Sequence, residues 1–399
     1  MRRTLVIIYQ WDPFGEKMGG IERFTRGLIE HAPDDFEIEF IGITSNAQSR
    51  PVGKWMEGFV GKKEISFLPV MYEKDEGLKK TIPLSLRFAA ALLFSRIEMR
   101  SKVLFFNKIE NFSPFLLTKA AKIAVIHSDI ERQLIKGKSE VAWREFPLLY
   151  YWFENIAFRY LDRIFVINKE TLRYCETRYK NMKYKFKHIS TWVDTDIFHP
   201  SLEGKTEIKK ITGKRFGIPA GFAWILFVGR LQEVKAPLRL IEAFDIYLKR
   251  NDKTILIMAG EGNMRQEVEK AIGRLSLKDK VFLVGNIPVF ELAGLYQSAD
   301  VLVLTSNSEA MPMSVLEALG SGLPVVSTNV GEVSAVVKNG ITGEVIESFE
   351  AEDIAAGIDK VLSKPNIYTV SNCLNSVKGL TPQYILKTLY DTMRALNHG

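Results

Sequence analysis

The chain has 399 residues, too many for one ordinary core and suited to two domains of ~150–200 residues each. Its 46% hydrophobic and 25% charged residues give the profile of a soluble globular protein; the longest apolar stretch, roughly Leu84 to Phe94 interrupted by Arg87, falls short of the ~20 residues a membrane span needs. The net charge of +7 is uneven: residues 1–199 hold 32 Lys+Arg against 25 Asp+Glu, and residues 200–399 hold 22 of each. The basic N-terminal half suits an anionic partner such as a lipid surface or a phosphorylated acceptor, or is a solvated face without one. Its cations are dispersed rather than gathered on a recognisable motif, which argues against nucleic acid. Cys175 and Cys373 lie far apart and form no metal or redox spacing.

The N-terminal MRRTLVIIYQ has an apolar run of only about five residues and no small-residue cleavage site, so it reads as a first strand rather than a signal peptide, and a cytoplasmic location is expected. Further strand candidates follow in FEIEFIGIT, EISFLPV, KVLFFN, KIAVIHS and DRIFVIN. In the second half they are WILFVGR, TILIMAG, KVFLVG, DVLVLTS and LPVVSTN. Helical periodicity marks GIERFTRGLIEHA, PLRLIEAFDIYLKR, NMRQEVEKAIGRLSL and MSVLEALGSG, and the alternation predicts βαβ units around parallel sheets. A polar, lysine-rich stretch with Pro200, Gly204 and Gly213 places the change of domain between about Asp194 and Ile218. The expected division is 1–195 and 205–380, with a last amphipathic helix at about 382–399 packing back on the first domain.

Doubly wound sheets bind ligands at the carboxyl ends of their strands, so the loops there carry the candidates. Gly229, Arg230 and Lys235 follow one buried strand; a glycine admits a ligand to the backbone, and the two cations either hold a pyrophosphate or solvate a loop. Glu309 and Glu317 flank the start of a helix in which Pro312 suits the first turn, with exposed amides facing an anion and carboxylates facing sugar hydroxyls. Gly19 and Gly20 form either a ligand-admitting pair or a flexible turn, without a GxGxxG fingerprint. His127 ends an apolar strand, where it either meets a sugar hydroxyl or is a satisfied strand-end histidine. No Ser-His-Asp arrangement, P-loop or zinc spacing is present.

In order and spacing these pieces resemble the family 4 glycosyltransferases, retaining enzymes of the GT-B fold that use nucleotide-activated sugars. GGIERFTRGL, VIHSD, VDTDIF, FVGRLQEVKAP, MAGEGNM, VFLVGNIP, LYQSADVLVLTSNSEAMPMSVLEALGSGLPVVSTNVGE and NGITGEV carry the resemblance, nearly end to end in the C-terminal domain and in patches before it. It implies two Rossmann-like domains facing across an interdomain cleft. It also implies Arg230 and Lys235 on the donor diphosphate, Glu317 on the ribose and Glu309 on the hexose. Backbone around Met311, Met313 and Ser314 would meet phosphate and sugar, that of Asn286 and Ile287 the base, Gly20 the diphosphate and His127 the donor sugar. Ala310 replaces the usual glycine, which is tolerable unless that residue needs positive φ, and HISTWVD replaces a usual Asn-Gly turn.

The expected activity is retaining transfer of a hexose from a nucleotide-sugar, UDP favoured and GDP the alternative base, to a glycan, lipid-linked or small-molecule acceptor in surface polysaccharide or glycoconjugate synthesis. No cofactor or metal is expected. The aromatic, arginine-flanked segment at 139–163 is either a peripheral contact with the inner membrane face or a buried core helix. The rival reading is a non-catalytic nucleotide-sugar or polysaccharide binding protein.

Overall fold

The computed structural model describes residues 2–15, 19–73, 82–95, 103–127 and 147–396. They fall into two compact units, Met1–Thr191 with Pro382–Gly399 and Trp192–Thr381.

The first unit runs β1 (Arg3–Ile8), α1 (Gly20–Glu30), β2 (Phe36–Thr44), β3 (Met56–Val60), β4 (Lys63–Tyr72), α2 (Leu84–Phe94), β5 (Val103–Phe106), β6 (Ala121–Ile126), α3 (Pro147–Tyr160), β7 (Arg163–Val166), α4 (Lys169–Arg178) and β8 (Phe186–His188). Its sheet has the order β3-β4-β2-β1-β5-β6-β7-β8. The apolar runs predicted as strands are buried on both faces, as parallel strands covered by helices must be; Leu5 to Ile8, Val103 to Phe106 and Ile164 to Val166 are all fully covered. Because β2 and β4 extend to one side of β1 and β5 returns on the other, the sheet reverses direction between β1 and β5. β3 is an antiparallel addition paired with β4, Glu57 opposite Ser66, and neither it nor the short β8 was expected from sequence. Residues 128 and 139–146, parts of a predicted strand and of the aromatic segment, lie outside the described residues.

The second unit comprises α5 (Lys205–Phe216), β9 (Ala223–Val228), α6 (Pro237–Leu248), β10 (Thr254–Ala259), α7 (Arg265–Arg274), β11 (Val281–Gly285), α8 (Val289–Ser298), β12 (Val301–Leu304), α9 (Met313–Gly320), β13 (Val325–Thr328), β14 (Gly343–Ile346), α10 (Ala351–Ser363) and α11 (Val370–Ser376). The order β11-β10-β9-β12-β13-β14, parallel throughout, reverses between β9 and β12. α5 forms from the lysine-rich stretch, and its cations tie it to the rest of the unit: Lys205 and Lys209 both pair with Asp300, at 2.8 and 2.7 Å, and Arg215 pairs with Glu291 on α8. Gly213 lies inside this helix because a side chain there would meet the Ile218 carbonyl at 2.5 Å. Gly217 ends it in the left-handed conformation, φ 68°. The VDTDIF stretch also belongs here, with the Val193 amide bonded to the Leu380 carbonyl and Phe198 edge-on to Tyr296.

The chain then returns to the first unit as α12 (Pro382–Ala395). Tyr390 donates to the Leu28 carbonyl at 2.5 Å and Arg394 grips Asp35 with two bonds of 2.9 and 2.8 Å. That guanidinium holds the Asp35 carboxyl below its ordinary range.

Candidate functional site

In the second unit the loops after β9 and β12 meet at the sheet's point of reversal, where an open α/β sheet presents its binding crevice. Backbone hydrogen bonds fix both loops. The Gly229 amide bonds to the Ala259 carbonyl, the Leu231 amide to Glu261 and the Met264 amide to Leu231. Gly260, at φ 138°, and Gly262 allow this approach, since a Cβ at either would overlap the Gly229 or Leu231 carbonyl. The glycines of the MAGEGN run are therefore packing requirements of the Arg230 loop. Gly229 itself is uncrowded, its α-carbon facing the aliphatic arm of Lys235.

The two loops are tied to each other as well. Thr305 Oγ1 donates toward the Lys235 and Ala236 carbonyls, the Asn307 amide to Val234 and the Asn307 side chain to Glu233. Ala236 is left-handed, φ 47°, immediately before Pro237 opens α6, a strained turn that swings the chain between Lys235 and the helix. The Lys235 ammonium is thereby ion-paired with the Glu309 carboxylate, and Ser306 Oγ donates to the same Glu309 oxygen at 2.8 Å. Both members are largely buried, at 18% and 14% side-chain exposure, so the pair is shielded more than a surface bridge.

Beyond Glu309 the chain leans on Gly331, whose Cβ would overlap the Glu309 and Ala310 carbonyls; the Glu332 amide bonds to Ala310. Ala310 is absent from the left-handed residues, so its methyl group costs nothing. Pro312 precedes α9 as its extended cap residue rather than lying in the first turn, φ −71° and ψ 118°. Met311 and Ser314 are buried and Met313 is half-buried at this helix start, where the first amides lack intrahelical partners. Glu317 lies within α9, 1% exposed, and receives the Tyr296 hydroxyl at 2.7 Å. One of its carboxylate oxygens is thus turned to Tyr296. Arg230 is exposed and has no side-chain partner among the described residues. Asn286, exposed, and Ile287, half-buried, follow β11 just past Gly285, which bonds to the Gly260 amide.

The first unit gathers its candidates in the same topological place, after β1, β5 and β6. Gly19 caps α1 and Gly20 opens it, with nothing within 4 Å of where a Gly20 side chain would stand. His127 directly follows β6, stacked edge-on to Phe24 at 4.8 Å, its Nε2 2.9 Å from Asn107 Oδ1. Asn107 Nδ2 in turn donates to Thr25 Oγ1 at 3.0 Å, and Thr25 donates to the Ile21 carbonyl at 2.7 Å. Burial, helped by the charge of Lys108, pushes the His127 imidazole down to about 3, so the ring is neutral at physiological pH.

Residues 209–371 match the family described as glycosyl transferases group 1. The chain carries a glycosyl transferases group 1 domain. An uncharacterised glycosyltransferase of Methanocaldococcus jannaschii is 35% identical over 172 residues, 42% of this chain and 44% of that protein. The chain spans less than half the length of the first curated relatives it matches. Among solved structures, sucrose-phosphate synthase from Thermosynechococcus elongatus covers 99% of this chain and 100% of its own with a TM-score of 0.78 at 18% identity. Anabaena HepE in complex with UDP-glucose covers 98% and 99% with a TM-score of 0.72 at 16% identity. The fold is GT-B.

Every candidate from Gly229 to Glu317 lies inside the group 1 domain, whereas Gly19, Gly20 and His127 lie outside the matched residues. Within the group 1 domain, sequence reasoning assigned no role to Ser306, Tyr296, Gly260, Gly262 or Gly331. The glycines were visible as motif members, but their purpose depends on which backbone each one faces. Outside it, Asn107 and Thr25 were missed, because neither stands in a motif.

Proposed function

We propose that the protein is a retaining glycosyltransferase that moves a hexose from a nucleotide-sugar, a UDP-sugar in preference to a GDP-sugar, to a glycan, lipid-linked or small-molecule acceptor. The observation that carries this reading is the joining of Lys235 and Glu309, beside Gly229, where the group 1 sheet reverses. The fold shared with a UDP-glucose complex supports the donor class. A diphosphate carries about two negative charges and offers stronger charge-assisted bonds than one carboxylate, so it draws Lys235 away and leaves Glu309 to accept hydroxyls of the transferred sugar. Arg230, Lys235 and the amides at the start of α9 then stabilise the departing diphosphate without a metal. Attack from the same face, the leaving phosphate oxygen taking the acceptor proton, needs no covalent carboxylate. Glu317 is assigned to the ribose, which requires it to turn from Tyr296.

The test is a thermal-shift screen of nucleoside diphosphates and their sugars, followed by assay of diphosphate release with acceptors. A ligand at 100 times its Kd adds ~2.7 kcal/mol. No stabilisation by any of them defeats the reading, and stabilisation by a donor that is never turned over favours the non-catalytic binding protein.

The proposed setting is surface polysaccharide or glycoconjugate synthesis at the inner membrane face. Exposed apolar side chains on the first unit support peripheral contact: Leu86, Leu93 and Phe94 on α2, Leu148 and Trp152 on α3. Among the described residues no helix is long and apolar enough to cross a membrane. Flotation with anionic vesicles should show binding that survives high salt; none at low salt removes the contact.

A further inference from the structure

The geometry points to Asn107, backed by Thr25, as a positioning residue that holds His127 in its Nε2-protonated form, so that the bare Nδ1 is the atom offered to a ligand hydroxyl. The inference deepens the donor reading above and rests on it for the identity of the hydroxyl, but the wiring of protons is a property of the protein alone.

The direction of every bond follows from one fixed acceptor. The Ile21 carbonyl can only accept, so the Thr25 hydroxyl, 2.7 Å away, donates to it. With its proton committed, Thr25 Oγ1 accepts from the neighbour at 3.0 Å, which makes that neighbour the amide nitrogen of Asn107 and not its oxygen. The Asn107 amide is thereby locked in one orientation, with Oδ1 toward His127. An amide oxygen can only accept, so the imidazole Nε2, 2.9 Å away, must carry a proton.

The holder's chemistry decides the rest. A neutral amide fixes one proton on the ring without the negative charge that would favour a second, in contrast to the carboxylates that orient histidines elsewhere. Asn107 and Thr25 are buried, 2% and 0% exposed, so water does not compete for these bonds. Phe24, edge-on at 83°, fixes the plane of the ring. Among the described residues no group bonds to Nδ1. A ring in this state accepts a hydrogen bond at Nδ1 and donates none there. It therefore selects a donor group, a sugar hydroxyl, and disfavours a phosphate or carboxylate oxygen in the same place.

The test is the histidine nitrogen spectrum of the uniformly 15N-labelled full chain near neutral pH, with two-bond couplings identifying the tautomer. The His127 signals are assigned by their loss in His127→Gln among the five histidines. The expected result is a single neutral Nε2–H form in the wild type. Asn107→Leu and Thr25→Val should each give exchange-averaged nitrogen shifts, and Thr25→Ser, which keeps the hydroxyl, should restore the single form. An Nδ1–H form or an imidazolium in the wild type overturns the proposal. So does a wild-type spectrum for His127 in both Asn107→Leu and Thr25→Val, provided circular dichroism shows them folded; if one does not fold, the other decides. The donor reading fails separately, through absence of nucleotide stabilisation while the tautomer stays intact.

Discussion

Lys235 and Glu309 in the second unit sit on loops held by backbone hydrogen bonds and by glycines that admit neighbouring carbonyls. His127 in the first unit is held by two side chains, Asn107 and Thr25, which lie 82 residues apart. A site held by backbone is written in local sequence, because each glycine is needed at its own position. A site held by side chains leaves no such record. This difference explains why one unit announces itself through motifs and the other scarcely does.

The sharpest way to break the comparison is to attack the backbone device directly. Gly260→Val places a branched side chain at φ 138° against the Gly229 carbonyl and should cost ~3 kcal/mol or more in urea unfolding. Gly20→Ala, in open space at the start of α1, should change stability by less than ~1 kcal/mol. Equal stability of the two variants would mean that glycines play the same part in both units. Next in size, Lys235→Ala should slow transfer by more than about tenfold, equivalent to ~1.4 kcal/mol. Wild-type turnover would remove Lys235 from the site.

Smaller and of opposite sign is Glu309→Gln. Freed from its carboxylate, Lys235 should bind UDP about threefold more tightly or better, roughly 0.7 kcal/mol by calorimetry, while turnover falls. Weaker binding by this variant would show that the ion pair does not oppose the diphosphate.

The side-chain strategy of the first unit also predicts a pH signature. Glu154, fully buried on α3, is pushed up to about 7 by burial, against the opposing hydrogen bonds of Tyr179 and Tyr150. Between its ordinary 4.5 and about 7 the folded protein holds a proton that the unfolded chain does not, so this contribution to stability is lost as pH rises through 7. Glu154→Gln should therefore gain stability over the wild type at pH 8 relative to pH 5 in paired melts. His127 acts in the other direction: its lowered value means that the unfolded chain takes up a proton first, and stability falls as pH drops from 6.5 toward about 3. A Glu154→Gln advantage that is the same at both pH values would place the ionisation elsewhere.

By itself the sequence determined the buried parallel strands, most of the helices around them and the glycine-bearing loops after β9 and β10. These follow from local periodicity and from backbone conformations that few residues adopt. It left open what holds the stretch before β9, where Lys209 and Arg215 of α5 pair with Asp300 and Glu291, 91 and 76 residues on. Only the tertiary structure decided that Lys235 and Glu309, 74 residues apart, share one ion pair, that Glu317 faces Tyr296, and that Asn107 reaches His127. Those pairings depend on which strands become neighbours where each sheet reverses, and strand order is a property of the folded chain that no local pattern encodes.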